Sequence, residues 1–133
     1  MTTVPSLRPQ PMLAVADVER ASRWYQEVLD LVSNHGGGEY EQLLCDGAMV
    51  LQLHTRAGAH HHLPLADADG PLGNGVAVWF QADDFDALVA CARAAGAEVV
   101  TDVHVNPNAG QRELWLRDLD GYLVVVAETP PAR

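Results

Sequence analysis

Apolar residues recur along this chain with two alternating periods, one typical of strands and one typical of helices. A short apolar run, Met12 to Val15, is followed by apolar residues at helical spacing up to Leu29. A second run, Val76 to Phe80, is followed by the same spacing up to Ala92. The pattern predicts a strand and then a helix in each half of the chain, which indicates an internal repeat.

Aspartates mark the expected beginnings of both helices. Asp17 and Asp84, which are 67 residues apart, each precede a helical segment. At that position a side-chain oxygen accepts hydrogen bonds from backbone N–H groups that have no partner within the helix. Gly96 lies where a residue with positive φ is expected to end the second helix. We therefore interpret both aspartates as helix caps rather than catalytic groups.

Each helix is followed by short strand-like runs separated by turn residues. The runs cover 39–44 and 49–53 in the first half, and 98–101, 112–116 and 122–127 in the second. Asp46-Gly47 and Asp120-Gly121 favour tight turns, so we interpret them as equivalent hairpin turns. The pattern predicts one α+β domain, residues 1–133, built from two βαβββ modules. Module one covers about 8–56, a linker rich in Gly, Pro, Asp and His about 57–73, and module two about 74–129.

Composition narrows the range of partners. The chain has 133 residues, of which 48% are hydrophobic, enough to bury a core. Its 18 acidic and 8 basic residues give a net charge of -10, which disfavours nucleic acid and anionic membranes as partners. No apolar run approaches the roughly 20 residues of a membrane span, and no signal peptide is recognisable. Cys45 and Cys91 lack CxxC spacing and lie in apolar stretches, so we expect buried, reduced thiols in a cytoplasmic protein.

Several motifs resemble those of the glyoxalase, bleomycin-resistance protein and dioxygenase superfamily, also called the vicinal oxygen chelate superfamily. They are Val15-Ala16-Asp17-Val18-Glu19, Trp24-Tyr25, and Arg117-Asp118-Leu119-Asp120-Gly121-Tyr122. The resemblance covers nearly the whole chain. It implies that each module curls into a half-barrel, and that two half-barrels enclose a ligand cleft, either within one chain or between two chains of a homodimer.

The resemblance also assigns four positions to metal ligands, on the first and last strands of each module. These positions hold Gln10, Gln52, Ala77 and Val125. Neutral imidazole or amide groups and carboxylates are the donors expected there, yet Gln52 replaces a carboxylate and the two aliphatic side chains cannot coordinate a metal. A shift of one residue places only valines in module two. We therefore predict no metal centre and no cofactor.

Histidines offer an alternative metal site. His54 has the same strand parity as Gln52, so both are expected to face the cleft if the strand continues that far. The remaining histidines are His35, His60, His61, His62 and His104. A run of consecutive histidines in a Gly-rich loop lacks the fixed spacing of metal ligands, which favours solvated side chains. His54 could instead accept a proton or bind a ligand carbonyl.

These patterns favour a metal-independent protein that sequesters an antibiotic or another aromatic natural product as a homodimer. The chain contains no nucleophile elbow, phosphate-binding loop or dinucleotide fingerprint. The expected ligand-binding residues are Gln10, Gln52, His54, Trp79, Arg112, Trp115 and Tyr122. The aromatic residues among them are equally compatible with core or interface positions. Two alternatives remain open. One is a lyase, isomerase or dioxygenase of the same superfamily that recruits a relocated metal through Gln10, Gln52 and His54 or works without a metal. The other is a scaffold or regulatory subunit with a vestigial cleft.

Overall fold

In each half of the chain, the elements follow the predicted order of one strand, one helix and three strands. The computed structural model describes residues 7–57 and 64–131. Its elements are β1 (Met12–Val15), α1 (Val18–Leu29), β2 (Val32–Ser33), β3 (Tyr40–Cys45), β4 (Ala48–Thr55), β5 (Ala77–Ala82), α2 (Phe85–Ala94), β6 (Glu98–Val105), β7 (Arg112–Arg117) and β8 (Leu123–Glu128).

Each module forms its own four-stranded sheet. The strand orders are β1-β4-β3-β2 and β5-β8-β7-β6. The first strand of each module pairs in parallel with the last, and the other pairs are antiparallel. This topology confirms the predicted α+β fold of two βαβββ modules. The predicted module includes a strand at the place of β2, but its residues were not located from the sequence, because two residues are too few to show alternation.

Both predicted helix caps are confirmed. The side chain of Asp17 accepts a hydrogen bond from Arg20 N at 3.0 Å, and that of Asp84 accepts one from Ala87 N at 3.1 Å. Gly96 follows the second helix with a φ of 69°, a backbone conformation that glycine adopts without steric cost. The two aspartates therefore stabilise helix ends, as the sequence indicated.

The two Asp-Gly turns are not equivalent, which corrects the prediction from sequence. Asp46 and Gly47, with φ of 48° and 79°, form a two-residue turn between paired Cys45 and Ala48. In module two, the connection between β7 and β8 is longer and covers residues 118–122. Asp118 makes the difference, because its Oδ1 accepts hydrogen bonds from the backbone N–H groups of residues 120 and 122 and so organises the longer turn.

One face of each sheet packs against its own helix. In module one, Leu43, Leu51 and Leu53 are fully buried on this face, together with Tyr25 and Val28 of α1. Alternate residues on the same strands point to the opposite side of the sheet, which we call the open face of the module. Each open face is free of contact with the helix of its own module, so it is available for a ligand or a partner.

The modules are joined through their helices and through the 118–122 turn. Tyr25 Oη donates a hydrogen bond of 2.6 Å to Asp118 Oδ2, and Tyr122 Oη donates one of 2.7 Å to the carbonyl of Ala14. Asp120 Oδ1 accepts a further bond from Ala16 N at 2.8 Å. Burial and the neighbouring Asp118 carboxylate raise the pKa of Tyr25 well above its usual value. The Arg-Asp-x-Asp-Gly segment is thus a junction between the modules.

The cysteines differ from the expectation of buried thiols. Cys45 is exposed and Cys91 is half-buried, and both are free. Cys45 is exposed because it is the last residue of β3, next to the Asp46-Gly47 turn.

Within residues 7–57 and 64–131, no helix has the length and apolar character needed to span a membrane.

Candidate functional site

A cavity of about 420 Å³ lies on the open face of module one. Strands β1, β3 and β4 supply its floor, and the segment between β2 and β3 supplies one wall. The lining residues are Met12, His35, Gly36, Gly37, Gly38, Glu39, Tyr40, Gln52 and His54. A concave site of this size, with aromatic rings and a few polar groups, is typical of small-molecule binding.

The buried carboxylate of Glu41 holds the wall of the cavity in place. Its Oε1 accepts hydrogen bonds from the backbone N–H groups of His35 and Gly36, at 3.1 and 2.8 Å. Its Oε2 accepts from the hydroxyls of Ser22 and Ser33, at 2.8 and 2.7 Å. Burial alone would raise the pKa of Glu41, but these hydrogen bonds outweigh it and lower the pKa to about 2. The side chain is therefore ionised at neutral pH and fixes the backbone at residues 35 and 36.

A chain of hydrogen-bonded polar side chains crosses the open face of module one. Asn34 Nδ2 donates to Gln42 Oε1 at 2.7 Å, and Gln42 Nε2 donates to Tyr40 Oη at 3.1 Å. Tyr40 Oη donates in turn to Gln52 Oε1 at 2.5 Å, and Gln52 Nε2 donates to the carbonyl of Gln10 at 2.9 Å. Both ends of the Gln52 amide are therefore used within the protein, and the orientation of the Tyr40 ring is fixed.

Three rings surround the cavity. The rings of His35 and Tyr40 meet edge to face with centroids 5.0 Å apart, and the centroids of Tyr40 and His54 are 6.1 Å apart. His54 Nδ1 lies 2.9 Å from the carbonyl oxygen of Thr55. The same nitrogen lies 3.2 Å from the hydroxyl of Thr55, so Thr55 fixes the orientation of the His54 ring. The cavity thus combines aromatic surface with polar groups of defined orientation.

The open face of module two carries two indoles instead. Trp79 and Trp115 both pair with Val125, from opposite sides, and their rings meet edge to face with centroids 5.9 Å apart. Trp79 is 51% exposed, which is unusual for so large an apolar side chain. Beside them, buried Glu113 accepts hydrogen bonds of 2.9 Å from the Trp115 indole and from Asn106. This face is therefore an aromatic surface next to a satisfied carboxylate.

The residues predicted to bind a ligand fall into three groups. Gln52 and His54 line the cavity of module one, and exposed Gln10 adjoins it through its carbonyl. Trp79 and Trp115 lie together on the open face of module two.

Arg112 and Tyr122 lie elsewhere. The guanidinium of Arg112 pairs with Glu128 at 2.7 Å and with Asp86 at 3.0 Å. Its central carbon lies 4.8 Å from the centroid of the Phe85 ring. Tyr122 is not on β8, as the sequence suggested, but precedes it, and its ring is buried at the module junction. Both side chains make structural contacts away from the two open faces.

Sequence reasoning missed the wall of the cavity. His35, Glu39 and Tyr40 line the cavity but were not among the expected ligand-binding residues. The available signal was the segment His35-Gly36-Gly37-Gly38-Glu39-Tyr40, in which a glycine run separates polar and aromatic residues directly before a strand. Gly36 and Gly37 adopt φ of 78° and 107°, backbone angles that residues with a Cβ rarely adopt.

The four positions assigned to metal ligands do not form a donor set. Met12 pairs with Gln52 just as Trp79 pairs with Val125, and residues 12 and 79 are again 67 apart, so Gln52 and Val125 occupy equivalent places. Val125 and Ala77 offer no donor atom, and a metal at Gln52 would displace the hydrogen bond from Tyr40. Across the described ranges, no group of three or more His, Cys, Asp or Glu side chains is placed to hold a metal ion. The histidines of the alternative site, residues 60–62, lie outside the described residues.

Two modules with open faces, one of which carries a ligand-sized cavity, define a small-molecule-binding fold. Comparison with known proteins identifies the family. Residues 8–126 match the family model described as Glyoxalase/Bleomycin resistance protein/Dioxygenase superfamily. The chain belongs to this superfamily. A comparison with curated proteins gave no match.

Solved structures share the fold over nearly the full chain. A protein of unknown function from Agrobacterium tumefaciens str. C58 has a TM-score of 0.76 and 20% identity, covering 96% of this chain and 98% of its own. TioX from Micromonospora sp. ML1 has a TM-score of 0.73 and 22% identity, covering 92% and 98%. A lactoylglutathione lyase from Agrobacterium tumefaciens has a TM-score of 0.68 and 26% identity, covering 95% and 96%. Relatives with one fold thus carry different names, so function has to be argued from the site.

Proposed function

We propose that this chain is a metal-independent small-molecule-binding protein that sequesters an antibiotic or another aromatic natural product. The observation that carries the proposal is the cavity of about 420 Å³ on the open face of module one, with the rings of His35, Tyr40 and His54 around it. Rings fixed by hydrogen bonds and packing lose little conformational freedom when a flat ligand stacks on them. Sequestration requires affinity alone, so the site needs no nucleophile.

The chemistry of the donor positions supports binding without a metal. Of the four positions assigned to metal ligands, Ala77 and Val125 have no donor atom. The amide of Gln52 is held by Tyr40 and by the carbonyl of Gln10, which suits a structural role in shaping the cavity. We further propose a cytoplasmic location, which is consistent with the two free thiols.

The open face of module two supports a homodimer as the binding unit. Trp79 exposes 51% of its surface there, and a second copy could cover this indole together with a ligand. Sedimentation equilibrium is expected to give twice the 14.3 kDa mass of one chain. A single-chain mass at every concentration tested would contradict the dimer.

A metal-dependent lyase, isomerase or dioxygenase is the second candidate. It is favoured by the 26% identity to a lactoylglutathione lyase over 95% of this chain. Such an enzyme would recruit a relocated metal through Gln10, Gln52 and His54, with help from the histidines at 60–62.

Elemental analysis of the untagged protein, beside calorimetric titration of zinc, nickel and manganese, separates the two candidates. The binding-protein proposal predicts no stoichiometric metal, and binding of aromatic antibiotics that is unchanged by a chelator. Tyr40→Ala is expected to weaken that binding, whereas Leu119→Ala, at an exposed position outside the cavity lining, should not. One metal per chain, lost on replacing His54, would favour the enzyme instead.

A further inference from the structure

One polar atom in the wall of the cavity lacks a hydrogen-bond partner. Glu39 lines the cavity at the end of the glycine run. Its Oε1 is buried yet accepts no hydrogen bond from the residues that the structure describes. A buried polar atom without a partner destabilises a protein, and a charged one does so more strongly. If the Glu39 side chain rotates so that Oε1 reaches the cavity surface, a ligand that donates a hydrogen bond to this oxygen would gain affinity by removing that penalty.

Among the residues that the structure describes, no arginine forms an ion pair with Glu39. All eight basic residues of the chain are arginine. Arg93, Arg112 and Arg117 form ion pairs within module two, and Arg56 donates to the backbone carbonyls of residues 67, 68 and 70. No described arginine lines the cavity. With a net charge of -10, the protein also attracts cations over a longer range.

The surroundings of Glu39 suit a cation carried on an aromatic group. Tyr40, the next residue in the chain, presents its ring to the same cavity. The face of a tyrosine ring attracts a cation electrostatically. Gly36, Gly37 and Gly38 line the same cavity and carry no side chains, so this wall leaves room for a ligand. A positively charged nitrogen near Glu39 can thus lie beside a ring while its skeleton extends along the glycine wall.

We propose that the cavity selects aromatic ligands bearing a protonated amine or amidine with at least one N–H, and that the carboxylate of Glu39 accepts this N–H. The inference rests on the proposed function, because it names the ligand class of the same cavity. The N–H is essential to the argument, since the unpartnered oxygen needs a donor. A quaternary ammonium carries the same charge but donates nothing.

Three probes with the same indole skeleton test the proposal: tryptamine, its N,N,N-trimethylammonium analogue, and the neutral alcohol tryptophol. Their dissociation constants are to be measured by titration calorimetry or ligand-observed NMR on the full chain. Tryptamine is expected to bind about tenfold more tightly than either analogue, the effect of one charge-assisted hydrogen bond. Glu39→Gln is expected to remove that advantage. Glu27→Gln changes the net charge equally at an exposed position on α1 and should alter each constant less than about twofold.

Three results would overturn the inference. Equal binding of tryptamine and its trimethylated analogue would show that no N–H reaches Glu39. Equal losses in Glu39→Gln and Glu27→Gln would assign the preference to the overall charge. Failure of all three probes to bind would exclude the ligand class. The proposed function is judged separately, by the binding of uncharged aromatic antibiotics and its loss in Tyr40→Ala, neither of which depends on a charged nitrogen.

Discussion

Replacing Glu41 with glutamine tests how the wall of the cavity is held in place. The Glu41 carboxylate accepts hydrogen bonds from two serine hydroxyls and from the backbone at residues 35 and 36. Glutamine keeps the size of the side chain but replaces one accepting oxygen with an NH₂ group and removes the charge, so either the backbone N–H groups lose their acceptor or the serine hydroxyls have to turn and accept instead. We therefore expect Glu41→Gln to fold but to lose stability, and to bind ligands in the cavity more weakly.

The magnitude follows from the pKa. The Glu41 pKa falls from 4.5 to about 2 on folding, and at 1.36 kcal/mol per unit this corresponds to about 3 kcal/mol of stability at neutral pH. Because the folded pKa is depressed, the contribution is fully present above the unfolded pKa of 4.5 and is lost as pH falls toward 2. At pH 3 about 2 kcal/mol of it should already be gone.

Urea unfolding of the wild type and Glu41→Gln at several pH values between 7 and 3 measures this effect. The difference in unfolding free energy is expected to be about 3 kcal/mol at pH 7 and to shrink toward pH 3. Glu27→Gln, which removes an exposed carboxylate on α1, serves as a control and should show little difference at any pH. A difference for Glu41→Gln that stays constant from pH 7 to pH 3 would refute the assignment of these hydrogen bonds to an ionised side chain.

Two further predictions concern the junction of the modules. Tyr25→Phe removes the hydroxyl that donates to buried Asp118, and we expect it to cost about 2 kcal/mol in chemical unfolding; an unchanged midpoint would argue against this bond. Gly73→Ala would place a Cβ in steric overlap with the backbone of Gly121, whereas the Cβ of Gly75→Ala, at nearly the same φ, meets nothing within 4 Å. We expect about 1 kcal/mol for Gly75→Ala from the left-handed backbone alone and a much larger loss for Gly73→Ala, while equal losses would contradict close packing at this position.

Much of the fold could be predicted because its signals are local. A helix cap, such as Asp17, depends on residues within one turn, and alternation along a strand needs only a few neighbours. The repeat of these signals 67 residues apart was enough to indicate two modules. The residues of the short strand β2 were not located from the sequence because two residues carry no period.

The site was harder to predict because it depends on contacts between distant segments. Gln52 and His54 were expected on one face by parity, and they do line one cavity. That Tyr40 lies opposite His54 is set by the register of β3 and β4, which a single strand does not reveal. The prediction for Tyr122 was wrong. Alternation suggested a strand residue, but the turn organised by Asp118 places its ring between the modules.

The matched register of the two sheets has a consequence for how a ligand can lie. Met12 and Gln42 flank Gln52 in module one as Trp79 and Trp115 flank Val125 in module two. The backbone repeats, but one copy presents a thioether and an amide where the other presents two indoles. A molecule in contact with both faces would meet two chemically different surfaces, so its two orientations would differ in affinity. The two sheets therefore share one backbone arrangement, but the side chains on their open faces make the two halves of the molecule chemically distinct.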